Sequence, residues 1–162
     1  MAEADKAALR GAGGETSRAN ERVADKPCRV RLRVVSRMTD PDGDVHETKN
    51  ARTGTLATTA QGLVLDYDDV QEGERAHVTL TMRESWAEMR RRGMTSAVLT
   101  FVPGERRASK YGTIYGDISV AVDTRRVALV RGENGGELAL SYDVYVGGER
   151  TSSAELAVTW RL

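Results

Sequence analysis

From residue 111 to residue 124 the chain reads Tyr-Gly-Thr-Ile-Tyr-Gly-Asp-Ile-Ser-Val-Ala-Val-Asp-Thr. In an extended chain Tyr111, Thr113 and Tyr115 point the same way. Ile118, Val120 and Val122 then alternate with Asp117, Ser119, Ala121 and Asp123. A period of two sustained over this length predicts a strand with one buried and one wet face, and it arrives with polar aromatics at its head.

The same period recurs along the chain. Val30, Leu32 and Val34 alternate with Arg29, Arg31 and Arg33. Leu63, Leu65 and Tyr67 oppose Asp66 and Asp68, and Val78, Leu80 and Met82 oppose His77, Thr79, Thr81 and Arg83. Leu138, Leu140, Tyr142, Val144 and Val146 alternate cleanly, and the last strand runs Ala154, Leu156, Val158, Trp160, Leu162. Between these lie a strand over Val45 to Thr59 bending at Gly54, a short one over Ala97 to Val102, and another over Arg107 to Tyr115. Gly116 to Val130 continues through a polar break at Asp123-Thr-Arg-Arg. Ser85 to Gly93 has Trp86, Met89 and Arg90 at helical spacing, but it is about two turns long and lies between strands, so it is read as strand.

Turns fall at Asp40-Pro-Asp-Gly-Asp, Gln71-Glu-Gly-Glu-Arg, Gly132 to Gly136 and Gly147-Gly148. Eight to ten short strands at regular spacing predict an all-β fold, a single antiparallel up-and-down β-barrel. A final strand that must find a partner favours closure. Residues 1 to 26 hold Leu9 and Val23 as their only large apolar side chains after Met1. Such a segment buries too little to offset its ordering entropy, so a disordered tail is expected, with 27–162 as the barrel domain.

Twenty-four basic residues balance twenty-four acidic ones, which leaves no global field favouring nucleic acid or an anionic membrane. No apolar run approaches the ~20 residues of a membrane span, and no signal-like segment opens the chain. A cytoplasmic location is therefore expected, with neither nucleic acid nor membrane as partner. The lone Cys28 excludes an internal disulfide. No cofactor is expected. Asp40 to Asp44 lacks the glycine and glutamate positions of a calcium loop. His46 and His77 are too few for a zinc site. No Gly-x-Ser-x-Gly elbow or phosphate loop is present, so an enzyme is not expected.

The order of features resembles the YwiB-like family of uncharacterised bacterial proteins. Val-x-Leu-x-Val-Val-Ser stands at Val30 to Ser36, and Arg91 and Gly93 match a short Arg-x-Gly segment. Tyr-x-Thr-x-Tyr-Gly stands at Tyr111 to Gly116, followed by a strand ending at Thr124, and Gly-Glu-Leu-x-Leu-x-Tyr runs from Gly136 to Tyr142. Ile114 stands where the family often has proline. The resemblance implies a calycin-type, lipocalin-like barrel over about residues 28 to 162 and brings no catalytic residues.

Residues 83 to 110 carry seven basic side chains against three acidic ones, and residues 66 to 74 carry five acids and no base. These are either two solvated faces or the rim of a barrel mouth that attracts an anion. If Arg91 points inward, it needs tyrosine hydroxyls, a carboxylate such as Asp66 or Asp68, or an anionic ligand. The expected site is a pocket at one barrel mouth lined by Tyr67, Arg91, Tyr111, Thr113 and Tyr115. It would take a small amphipathic or anionic molecule. The alternative is a structural or protein-interaction module, a homo-oligomer with its interior plugged by Trp86, Phe101, Met82, Met89 and Trp160.

Overall fold

A computed structural model describes residues 26–162. The expected tail, apart from Lys26, lies outside the described residues. Ten strands follow one another: β1 (Cys28–Thr39), β2 (Val45–Thr59), β3 (Gly62–Gln71), β4 (Glu74–Arg83), β5 (Trp86–Gly93), β6 (Ala97–Phe101), β7 (Arg106–Thr113), β8 (Gly116–Arg131), β9 (Gly135–Val146) and β10 (Glu149–Arg161). All pairings are antiparallel, and the sheet order is β6-β5-β4-β3-β2-β1-β10-β9-β8-β7. The first and last strands pair with each other, Leu32 opposite Trp160 and Val34 opposite Val158, so the meander closes where the ends of the domain meet.

The barrel is nearly closed. Its seam lies between the consecutive strands β6 and β7. They are joined by a two-way backbone bridge between Ser96 and Gly112 and by the Ser109 hydroxyl donating to the Val98 carbonyl. Among the described residues there is no helix, and so none long and apolar enough to cross a membrane.

Alternation carries through as expected. Leu63, Leu65, Tyr67, Val78, Leu80 and Met82 are buried, while Asp68, His77 and Arg83 face water. The polar break in β8 is a bulge. Thr124 pairs with Tyr142 and Arg126 with Ser141, leaving Arg125 as the extra residue. One added residue flips the side-chain parity. The inward positions are therefore Val120, Val122 and Thr124 before the bulge, and Val127 and Leu129 after it.

Two expected boundaries move. The strand ends at Thr113 and not at Tyr115, because Ile114 and Tyr115 form a tight turn. The Thr113 hydroxyl closes that turn by donating to the Gly116 carbonyl and accepting from the Tyr115 amide. The final strand ends at Arg161, and Leu162 is exposed.

Candidate functional site

Inward side chains fill one half of the barrel and leave the other half hollow. Phe101, Leu65, Leu80, Met82, Leu138, Val158 and Trp160 pack the half that holds the domain's termini. Beyond them lies an apolar cavity of about 470 Å³, walled by Met38, Met89, Leu99, Val120, Tyr142 and Val144, with Ala97, Ile118 and Val146. Of the five expected plugs, Met82, Phe101 and Trp160 are core, and Met89 lines the cavity. Trp86 stands on the outer wall, where the Arg83 guanidinium stacks 4.1 Å from its ring centroid.

Arg91 and Tyr111 line this cavity and also a polar vestibule formed with Thr48, Asn50, Val70, Glu72, Glu74 and Thr95. They stand at the boundary between apolar interior and wet mouth. β5 brings Arg91 inward by the same two-residue period that turns Ala87 and Met89 inward. Its Nη1 donates to Asp69 Oδ2 at 3.2 Å and its Nε to the Thr95 hydroxyl at 3.4 Å. Arg52 holds the other oxygen of the same carboxylate, Nη2 to Oδ1 at 3.2 Å, and also donates to the carbonyls of Ala51 and Val70. The side chains of Asp69, Arg91 and Arg52 are only 11%, 20% and 22% exposed.

Tyr67, two residues before Asp69 on the same face, is buried beside this cluster. Burial pushes its phenol up to about 12, with the Asp69 carboxylate adding to the rise against the two arginines. Burial likewise raises the Tyr142 phenol to about 12. Its ring meets Phe101 with centroids 4.8 Å apart, at the floor of the hollow half.

Of the five expected site residues, Arg91 and Tyr111 stand together at the mouth, while Tyr67 is buried in the core behind the Asp69 cluster and lines neither cavity nor vestibule. Thr113 is spent on the β7–β8 turn, and Tyr115, 93% exposed at its tip, lines neither this cavity nor its vestibule. The anticipated partners of Arg91, Asp66 and Asp68, lie on the outer wall. There they flank His77, with Nε2 and Nδ1 each 3.0 Å from a carboxylate oxygen. Asp68 first and Asp66 second raise the His77 pKa. The residues missed are Asp69 and Arg52. Parity held the signal for Asp69, since an inward Tyr67 places Asp69 inward too.

Outside the mouth the surplus arginines are largely paired. Arg90 meets Glu88, Arg107 meets Glu105, and Arg106 meets Asp123 while stacking 3.9 Å from the Tyr145 ring centroid. Asp40 accepts from the amides of Asp42 and Asp44, so the aspartate-rich segment is a closed turn. Among the described residues no cluster of three potential ligands is arranged for a metal ion.

The crystal structure of the ywiB protein from Bacillus subtilis superimposes with a TM-score of 0.78 at 20% identity, over 87% of this chain and 96% of that one. Curated proteins gave no match. The domain of unknown function DUF1934 matches residues 32–158, from the first inward leucine of β1 to the last valine of β10. With this match and the shared barrel, the chain belongs to the DUF1934, YwiB-like family.

Proposed function

We propose that the protein is a cytoplasmic, calycin-type carrier or sensor that binds one small amphipathic molecule with an anionic end. The observation that carries this reading is the half-hollow barrel, an apolar cavity of about 470 Å³ with Arg91 at its polar end. Empty apolar space weakens a fold, because its lining forfeits dispersion contacts, and a ligand's apolar body restores them. An arginine at the boundary gives that ligand an orientation, with its charge at Arg91 and Tyr111 and its body among Met38, Met89, Leu99 and Val144. Native mass spectrometry of protein purified from its own host tests the reading. A retained small molecule, lost from an Arg91→Ala variant, supports it. A uniformly empty protein that no amphiphile stabilises in a thermal-shift screen removes it.

A second reading, an interaction module that pairs with another copy, is favoured by Ile114 and Tyr115, which stand exposed at the β7–β8 tip. Light scattering of the native protein and an Ile114→Asp, Tyr115→Asp variant separates the two readings. A dimer lost on substitution supports pairing, and a monomer in both removes it.

A further inference from the structure

We infer that the Arg52–Asp69–Arg91 cluster selects a ligand head carrying a single negative charge, and that Asp69 is the residue setting that limit. The inference rests on the ligand-binding reading and narrows its ligand class. Two guanidiniums share one carboxylate, which leaves one net positive charge at the polar end of an apolar cavity. An uncompensated charge withdrawn from water is costly. Arg52 is committed through its Nε, Nη1 and Nη2 to Asp69, Ala51 and Val70. Arg91 is bonded through Nε and Nη1, and of the three cluster members it alone walls the cavity.

A monoanionic head at Arg91 brings the cluster to neutrality. A neutral head leaves the surplus charge unanswered. A dianionic head overshoots it where solvent screening is weak, and meets the Glu72 and Glu74 carboxylates across the vestibule. Asp66, Asp68 and His77 pair among themselves on the outer wall. Glu72 and Glu74 are exposed to solvent in the vestibule, so the half-buried charge against the cavity is set by three side chains, with Asp69 the negative one.

The test uses four probes with one eight-carbon tail: octanoate, octyl methyl phosphate, octyl phosphate and octanol. They are titrated calorimetrically into the full chain at about pH 8, where a phosphate monoester, with its second pKa near ~6, is largely a dianion. Octanoate and octyl methyl phosphate should bind about tenfold or more tightly than octanol, the scale of a charge-assisted hydrogen bond. Octyl phosphate should bind more weakly than its methyl ester. Asp69→Asn makes the cluster doubly positive and should reverse the order of the two phosphates. Arg52→Gln makes it neutral and should erase the advantage of octanoate over octanol, which keeps the inference testable if Asp69→Asn does not fold. Octyl phosphate matching or beating its methyl ester in the native chain would overturn the inference, as would unchanged preferences in either variant. Octanol binding as tightly as octanoate leaves the cavity reading standing and removes this one. Absence of binding by all four probes removes both.

Discussion

The indole of Trp160 lies across Gly136, its register partner on β9, where an added Cβ would run into the ring and into the Val130 carbonyl. A bare position on one strand is covered by a large aromatic from the next, which seals the filled end of the barrel. Trp160→Ala should cost roughly 3–5 kcal/mol, read from the urea midpoint. Gly136→Ala should cost about 1–3 kcal/mol through overpacking. Native-like unfolding of the tryptophan variant would mean that the indole is not packed inward.

Asp69 and Asp66 lie three residues apart on opposite faces of β3, and their substitutions should differ. Asp69→Ala leaves two half-buried arginines unpaired and should cost roughly 3 kcal/mol, the lower end for a broken buried pair. Asp66→Ala removes an exposed partner of His77 and should cost under about 1 kcal/mol. Equal costs in denaturant titrations would contradict the inward placement of Asp69.

Leu99 projects into the hollow half. Leu99→Phe should fill space without the ~1–3 kcal/mol penalty of an overpacked core. Stability should stay within about 1 kcal/mol of the native value, while probe binding is lost. A large destabilisation, or undiminished binding, would show that the cavity is not where the ligand body sits.

The seam between β6 and β7 holds fewer backbone hydrogen bonds than the other strand pairs. Amides of these strands should exchange with solvent sooner than those of β1 and β10, since local opening there breaks few contacts. Ser109→Ala removes the side-chain link to Val98 and should quicken exchange further, with a stability loss of about 1 kcal/mol. Uniform protection around the barrel would show that the seam is zipped.

His77 is held between two carboxylates that raise its pKa above the ordinary 6.5. A raised folded-state pKa stabilises the protonated form. The contribution is therefore fully present below pH ~6.5 and is lost as pH rises through the elevated value. The stability gap between native protein and His77→Gln should accordingly narrow from pH 5.5 to pH 9, read from urea midpoints at each pH. A gap that widened with pH would reverse the assignment.

Strand positions were legible because burial on one face imposes a period of two that no other element shares. Trp86 to Gly93 shows the limit of local spacing. Its residues favour helix, but inward Ala87, Met89 and Arg91 need the two-residue period, and pairing on both sides holds β5 extended. Tyr111 was legible as a mouth residue for the same reason. Thr113 and Tyr115 were not, because alternation extrapolates a strand past its end. Three local hydrogen-bonding groups, the Thr113 hydroxyl, the Gly116 carbonyl and the Tyr115 amide, end it instead.

By itself the sequence determined the strands, their inward faces and the antiparallel meander, all consequences of apolar side chains leaving water on one side of a pleated chain. Tertiary structure alone decided that one half of the barrel is filled and the other hollow, since that depends on how side-chain volumes from opposite walls meet. It also decided the charge at the mouth. Arg52 and Arg91 stand 17 and 22 residues from Asp69. Only pairing of β2 with β3, β3 with β4 and β4 with β5 carries the three groups to one point, where a half-dry setting makes their charges count.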